Sequence, residues 1–155
     1  MVVISDTSPL TALLLAGREL LVKQMFDRVV IPPAVEKELL RAHAELPAWI
    51  EVLTPGDIPL SVSEAGLDPG ETEAISLALE LRPETVLMDE RLGRRLAAKH
   101  GLKVTGLLGL LVMARQKNLI HEVRPLILEM IAKGKCWFDQ SLLESVCNSV
   151  GEKWG

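Results

Sequence analysis

The segment Val2-Val3-Ile4-Ser5 is apolar and β-branched almost without interruption, and it stops on Asp6. A strand with one wet face alternates apolar and polar side chains. An unbroken run instead marks a strand covered on both faces, as in a parallel sheet with helices on either side. Thr85-Val86-Leu87-Met88 repeats the form and stops on Asp89. In a parallel α/β sheet all strand C-termini lie along one edge, and that edge is where ligands bind. The two aspartates are therefore expected to meet in space, although most of the chain lies between them.

The intervening sequence supports this reading. Ser8-Pro9 supplies an N-cap and a first-turn proline for a helix over Leu10–Leu15, which Gly17 stops. A second amphipathic helix over Glu19–Phe26 leads into a strand over Arg28–Ile31, and Pro32-Pro33 opens a helix to Arg41. Ile50–Leu53 reads as a further strand. Residues 54–69, rich in Pro and Gly, form the longest irregular stretch and read as a mobile flap. Helix Glu71–Leu81, strand Thr85–Met88, helix Arg91–Lys99 and strand Leu102–Thr105 then alternate as βαβ units do. Beyond Gly106 the pattern is helical over 107–117, 122–132 and 139–149. The expected architecture is a three-layer α/β/α domain over 1–150, with a parallel sheet of four or five strands. Residues 105–150 make its helical C-terminal part, and 151–155 a tail.

A chain of 155 residues that is 48% hydrophobic can bury one sizeable core, which fits a single domain. The net charge of −4 excludes generic, charge-driven nucleic-acid binding, though not a local basic patch. Cys136 and Cys147 lack any metal-ligand spacing and read as two reduced thiols. No segment reaches the roughly 20 apolar residues of a membrane span, and no cleavable leader is evident. A soluble, cytoplasmic protein without a membrane partner is expected.

Four acids occupy positions where a strand or loop passes into a helix, or lie just inside one: Asp6, Glu38, Glu71 and Asp89. Asp6 could cap the following helix, but Ser8 suits that position better. Glu38 borders the apolar stripe of its helix, where a lone acid is costly unless paired or liganding; a plain salt bridge is the alternative. Glu71 stands in the middle of an apolar arc, with Ala74, Ile75 and Ala78 within about 60° of it. A capping box with Asp68 accounts for Glu71 equally well, and the two roles are compatible. Asp89 could cap the next helix, and its neighbour Glu90 remains open as the fourth acid or as an assistant. Two carboxylates about 5 Å apart repel by roughly 3 kcal/mol at an effective dielectric near 20. Such a cluster needs cations, and oxygen donors suit Mg²⁺ or Mn²⁺.

Arg91, Arg94, Arg95 and Lys99 share one helix face beside Asp89, either as a solvated stripe or as a contact to a nucleic-acid phosphate backbone. With three Trp, two Phe and no Tyr, no aromatic platform for stacking bases is expected. Recognition of a nucleic acid should then run through backbone and shape.

At these residues the chain resembles the PIN-domain family, in particular its small prokaryotic, toxin-like members. The carrying segments are Ile4-Ser5-Asp6-Thr7-Ser8-Pro9-Leu10, Ile31-Pro32 with Val35-Glu36-Lys37-Glu38-Leu39, Asp68-Pro69-Gly70-Glu71-Thr72-Glu73-Ala74-Ile75, Leu87-Met88-Asp89-Glu90-Arg91, and Val104-Thr105-Gly106-Leu107-Leu108-Gly109. The resemblance implies a parallel sheet flanked by helices, an acidic pocket for Mg²⁺ or Mn²⁺, and cleavage of single-stranded RNA. It also implies the role of a toxin neutralised by an antitoxin protein; a homodimer is the expected assembly. Asp6 matches the first family acid, Glu38 the helical glutamate, and Asp89 the acid after the later strand. Glu71 stands where many members carry Asp, which keeps the charge but moves it outward. Thr7 or Ser8 matches the auxiliary hydroxyl.

Two readings compete. A phosphatase with Asp6 as nucleophile would want a second Asp where Ser8 stands. A non-catalytic module that binds RNA or a protein would leave a buried acid cluster unused, at a cost in stability.

Overall fold

The computed structural model describes residues 1–155. Five strands form one parallel sheet: β1 (Val2–Ser5), β2 (Arg28–Ile31), β3 (Ile50–Val52), β4 (Thr85–Leu87) and β5 (Val104–Thr105). Their spatial order is β3-β2-β1-β4-β5. The nine helices are α1 (Thr7–Ala16), α2 (Leu20–Met25), α3 (Pro33–Ala42), α4 (Leu60–Ser63), α5 (Pro69–Leu81), α6 (Arg91–Lys99), α7 (Leu107–Gln116), α8 (Val123–Ala132) and α9 (Gln140–Ser149).

Side chains on a strand alternate between faces, and here both faces are apolar. Val3, Val29, Ile31 and Leu87 enter a large core with α1, α2, α3, α7, α8 and α9. Ile4, Val30, Val86 and Met88 enter a smaller one with α4, α5 and α6. This is why the strand sequences show no polar alternation. The middle layer is dry on both sides.

The first three strands step outward in one direction. The chain then returns through α4 and α5 on the other face to place β4 against the opposite side of β1. The strand order reverses between β1 and β4, and the crevice at such a switch point is the natural ligand position. Helices that lead from one parallel strand to the next run back along the sheet. The start of α5 therefore lies at the same edge as the C-terminal ends of β1 and β4.

Three local expectations change. Helix α1 starts at Thr7, not Leu10, so Ser8 lies inside the helix and Asp6 takes the N-cap position. The stretch 54–69 contains the one-turn helix α4, and its Val62 is fully buried in the smaller core, which anchors a segment whose composition suggests a flap. In the tail, Glu152 accepts hydrogen bonds from the Val123 and Arg124 amides at 2.8 and 2.9 Å, satisfying the start of α8. No helix is long and apolar enough to cross a membrane.

Candidate active site

Asp6 continues β1 by one residue: its amide donates to the Leu87 carbonyl of β4 at 2.8 Å. That bond places the carboxyl directly over the switch point. Asp6 is only 5% exposed, and its side chain makes no capping bond to α1. Burial pushes its pKa up to about 6, and the charges of Asp68, Glu38 and Asp89 add to the rise while the nearby Thr7 amide opposes it.

Gly70, in the first turn of α5, shows how closely the carboxylates gather. A Cβ on this residue would stand 3.2 Å from Asp6 Oδ1, and 3.4 Å from both Asp68 Oδ1 and Glu38 Oε1. Oxygens from β1, α3 and the start of α5 thus face one point. Asp68 is the member that sequence reasoning misses as a site residue. Its capping signature accounts for it fully, and a residue with a sufficient structural role raises no further question. It does cap α5, accepting from the Glu71 amide at 2.8 Å. Its exposed side chain nevertheless also lines the acidic cleft.

Glu71 returns the capping bond through Oε1, which accepts from the Asp68 amide at 3.3 Å. Its other oxygen is buried without a partner. That oxygen faces α6, where a Cβ on Gly93 would meet it, and also Met88 Sδ, at 2.6 Å. Burial raises Glu71 to about 7, with the neighbouring Asp68 and Asp6 charges contributing. The residue lies beneath the cleft and is not among those lining it.

Asp89 is more open to solvent than Asp6. Its Oδ1 accepts from the Leu107 amide at 2.9 Å and so holds the start of α7, not of α6. The surrounding protein raises its pKa, against the lowering effects of that amide and of Arg94. Glu90, also exposed, lines the cleft beside it. Gly106 makes the arrangement possible, because a Cβ there would stand 2.8 Å from Arg94 Nη1 and 2.9 Å from Asp89 Oδ1.

The basic stripe divides. Arg94 turns inward, donates to the Met88 carbonyl at 3.0 Å and lines the cleft beside Asp89. Arg91, Arg95 and Lys99 stay exposed. Of the two hydroxyls, Ser8 is exposed, whereas Thr7 Oγ1 is buried with no hydrogen-bond partner; both residues line the cleft.

A family model described as a PIN domain matches residues 2–152. The chain belongs to the PIN-domain family. No curated protein matches it in sequence. PIN domains are generally nucleases, so the fold around this acidic cleft is of the nuclease type.

The family's usual divalent cation can be tested against the residues present. The donors are all carboxylate and hydroxyl oxygens, the set that Mg²⁺ and Mn²⁺ favour. Asp6 is buried with no basic side chain bonded to it, since the protein's ion pairs, such as Arg18–Glu129 and Arg28–Glu51, lie elsewhere. As the side chains stand, no group of three is arranged to hold one ion. The residues fit a cation in chemistry and charge: Asp68 is held in place by its cap on α5, and Glu38, with no hydrogen-bond partner of its own, can close on the ion by side-chain rotation.

Proposed function

We propose that this PIN domain is a metal-dependent endoribonuclease that cleaves single-stranded RNA. The observation that carries the reading is the meeting of Asp6, Glu38 and Asp68 oxygens around Gly70, beside a buried carboxyl that no basic side chain neutralises. Mg²⁺ or Mn²⁺, held by Asp6, Glu38 and Asp68 with Asp89 or Glu90 opposite, would supply activation of water and charge stabilisation for phosphodiester hydrolysis.

The protein's own part is placement. Asp6 is fixed by the β1–β4 pairing and cannot drift. Asp89 is tethered by the α7 amide and keeps its other oxygen for the cleft. Ser8 brings an exposed hydroxyl to the same wall, where it can donate to a phosphate oxygen, while the Thr7 hydroxyl lies buried. Arg94 adds the cationic group nearest the acids. Glu71 holds α5, and through it Asp68, in register.

The test is cleavage of end-labelled single-stranded RNA with Mn²⁺, Mg²⁺ or excess chelator, next to calorimetric titration of the metal. Cleavage that requires the ion and vanishes in Asp6→Asn supports the proposal. Neither cleavage across varied sequences nor metal binding would leave the non-catalytic module ahead. Family membership extends the proposal to a toxin, as a homodimer held by an antitoxin. Induced expression in a bacterial host should then arrest growth, and Asp6→Asn should not.

A further inference from the structure

The loop between α8 and α9 lines the same cleft as the acids. Gly134 pins this loop to α1: a Cβ there would stand 2.7 Å from the Met130 carbonyl oxygen and 3.0 Å from that of Ala12. The Cys136 amide donates back to Met130 at 3.2 Å. Cys136 and Phe138 are both half-buried against the larger core. Trp137 is thus anchored on either side, yet its own side chain is 80% exposed while lining the cleft. The other two tryptophans, Trp49 and Trp154, pack against the core. Lys135 precedes it with φ 56, a left-handed conformation uncommon for a residue with a side chain. It is exposed, and with Arg94 it is one of two basic residues lining the cleft.

A rigidly presented indole left in water has no structural purpose here, because the packing around it is made by its neighbours. The chain carries a net charge of −4 and the cleft is lined by five acids, Asp6, Glu38, Asp68, Asp89 and Glu90, so a polyanion gains little from charge alone. Attraction through a base face supplies what charge does not, and it tolerates any sequence. Arg94 beside the acids and Lys135 beside the indole put two cationic groups on the cleft wall, where phosphates can be met. The cleft, about 1150 Å³, exceeds the roughly 300–1,000 Å³ of small-ligand pockets and suits an extended chain.

We infer that Trp137 is a positioning residue on which a nucleobase of single-stranded RNA stacks, with Lys135 holding the adjoining phosphate. The inference rests on the ribonuclease reading. It supplies the aromatic platform that the low aromatic content argues against, since one well-placed tryptophan suffices where composition counts only totals.

The test compares binding of a labelled single-stranded decanucleotide in an Asp6→Asn background with Mn²⁺ present, so that the RNA stays intact. Adding Trp137→Ala should weaken binding about 5- to 100-fold, whereas Trp137→Phe should keep most of it. RNA should quench tryptophan emission in the Asp6→Asn protein and less so after Trp137→Phe. A decanucleotide with abasic sites should bind with the same affinity whether or not Trp137→Ala is added. In the otherwise unchanged enzyme, Trp137→Ala should raise KM more than it lowers kcat. Equal affinity with and without the indole, while wild-type protein still cuts RNA, overturns the stacking proposal and leaves the nuclease reading standing. If the wild type neither binds nor cuts, both fall. A change only in elution volume on gel filtration would make Trp137 a protein contact and end the proposal.

Discussion

Asp6 and Asp89 are twins in sequence, each closing a buried strand before a helix, and they differ in the folded protein. Asp6 is buried and makes no capping bond, whereas Asp89 is open to solvent and has one oxygen bound to the Leu107 amide. The same local pattern thus yields one carboxyl without a structural task and one that already holds a helix in place. What separates them is the connection that follows. After β1 the chain enters α1 directly and packs into the larger core. After β4 it enters α6, and the start of α7, reached through β5, approaches Asp89 instead.

The sharpest way to break this comparison is to remove each acid in turn. Asp6→Asn should reduce RNA cleavage by more than about 100-fold, the scale of a missing catalytic group. It should not lower thermal stability, because a buried charge disappears and no structural bond goes with it. Asp89→Ala should reduce cleavage too, but it also removes a cap, typically about 1 kcal/mol. Its melting temperature should fall by about 2–4 °C, as expected for a domain of this size. Equal stability loss in the two variants would show that they are twins after all.

Glu71 tests the same division between charge and structure by pH. Its folded pKa, near 7, lies above its ordinary value of 4.5, and that of Asp6, near 6, lies above 3.8. Between these limits the folded state holds more protons than the unfolded one. Metal-free protein should therefore lose stability as pH rises from about 4 to about 7 through these groups, and gain it on acidification. Glu71→Gln should raise the metal-free melting temperature at pH 8 by about 2–4 °C and leave it nearly unchanged at about pH 4, below both values. An increment that is the same at both pH values would mean the carboxyl is charged throughout.

The smallest effect concerns the exposed arginines. Replacing Arg91 and Arg95 with Ala should reduce the salt dependence of RNA binding by about 0.7 for every phosphate that these side chains neutralise. An unchanged slope would make that face a solvated one, with Arg94 and Lys135 carrying the phosphate contacts.

Much of this is legible from residues. The unbroken β-branched runs specify strands dry on both faces, and the strand order that follows brings Asp6 and Asp89 to adjacent strands. Glu38 is visible as an acid on the flank of an apolar stripe. Asp68 is hidden by its own capping role, and the inward turn of Arg94 is hidden because helix periodicity cannot register Gly106, far along the chain, making room for it. The anchoring of Val62 is obscured by the Pro and Gly around it, which set local chain direction but not what a single valine packs against. The exposure of Trp137 depends on Gly134 lying against α1, a contact between distant segments that no local pattern encodes.

Gly70 has a consequence for how this gene can vary. Glycine inside a helix costs roughly 0.5–1 kcal/mol relative to alanine at central positions, so even in the first turn selection for stability alone would not keep this glycine. The added methyl would be a neutral wedge among three carboxylates, touching Asp68 and Glu38 and pushing the Asp6 oxygen by a few tenths of an ångström while leaving every charge in place. Gly70→Ala should therefore melt no lower than the wild type yet bind Mn²⁺ more weakly, as calorimetry would show. It would be a fully folded, fully charged form with a weakened site, one substitution away from the natural sequence.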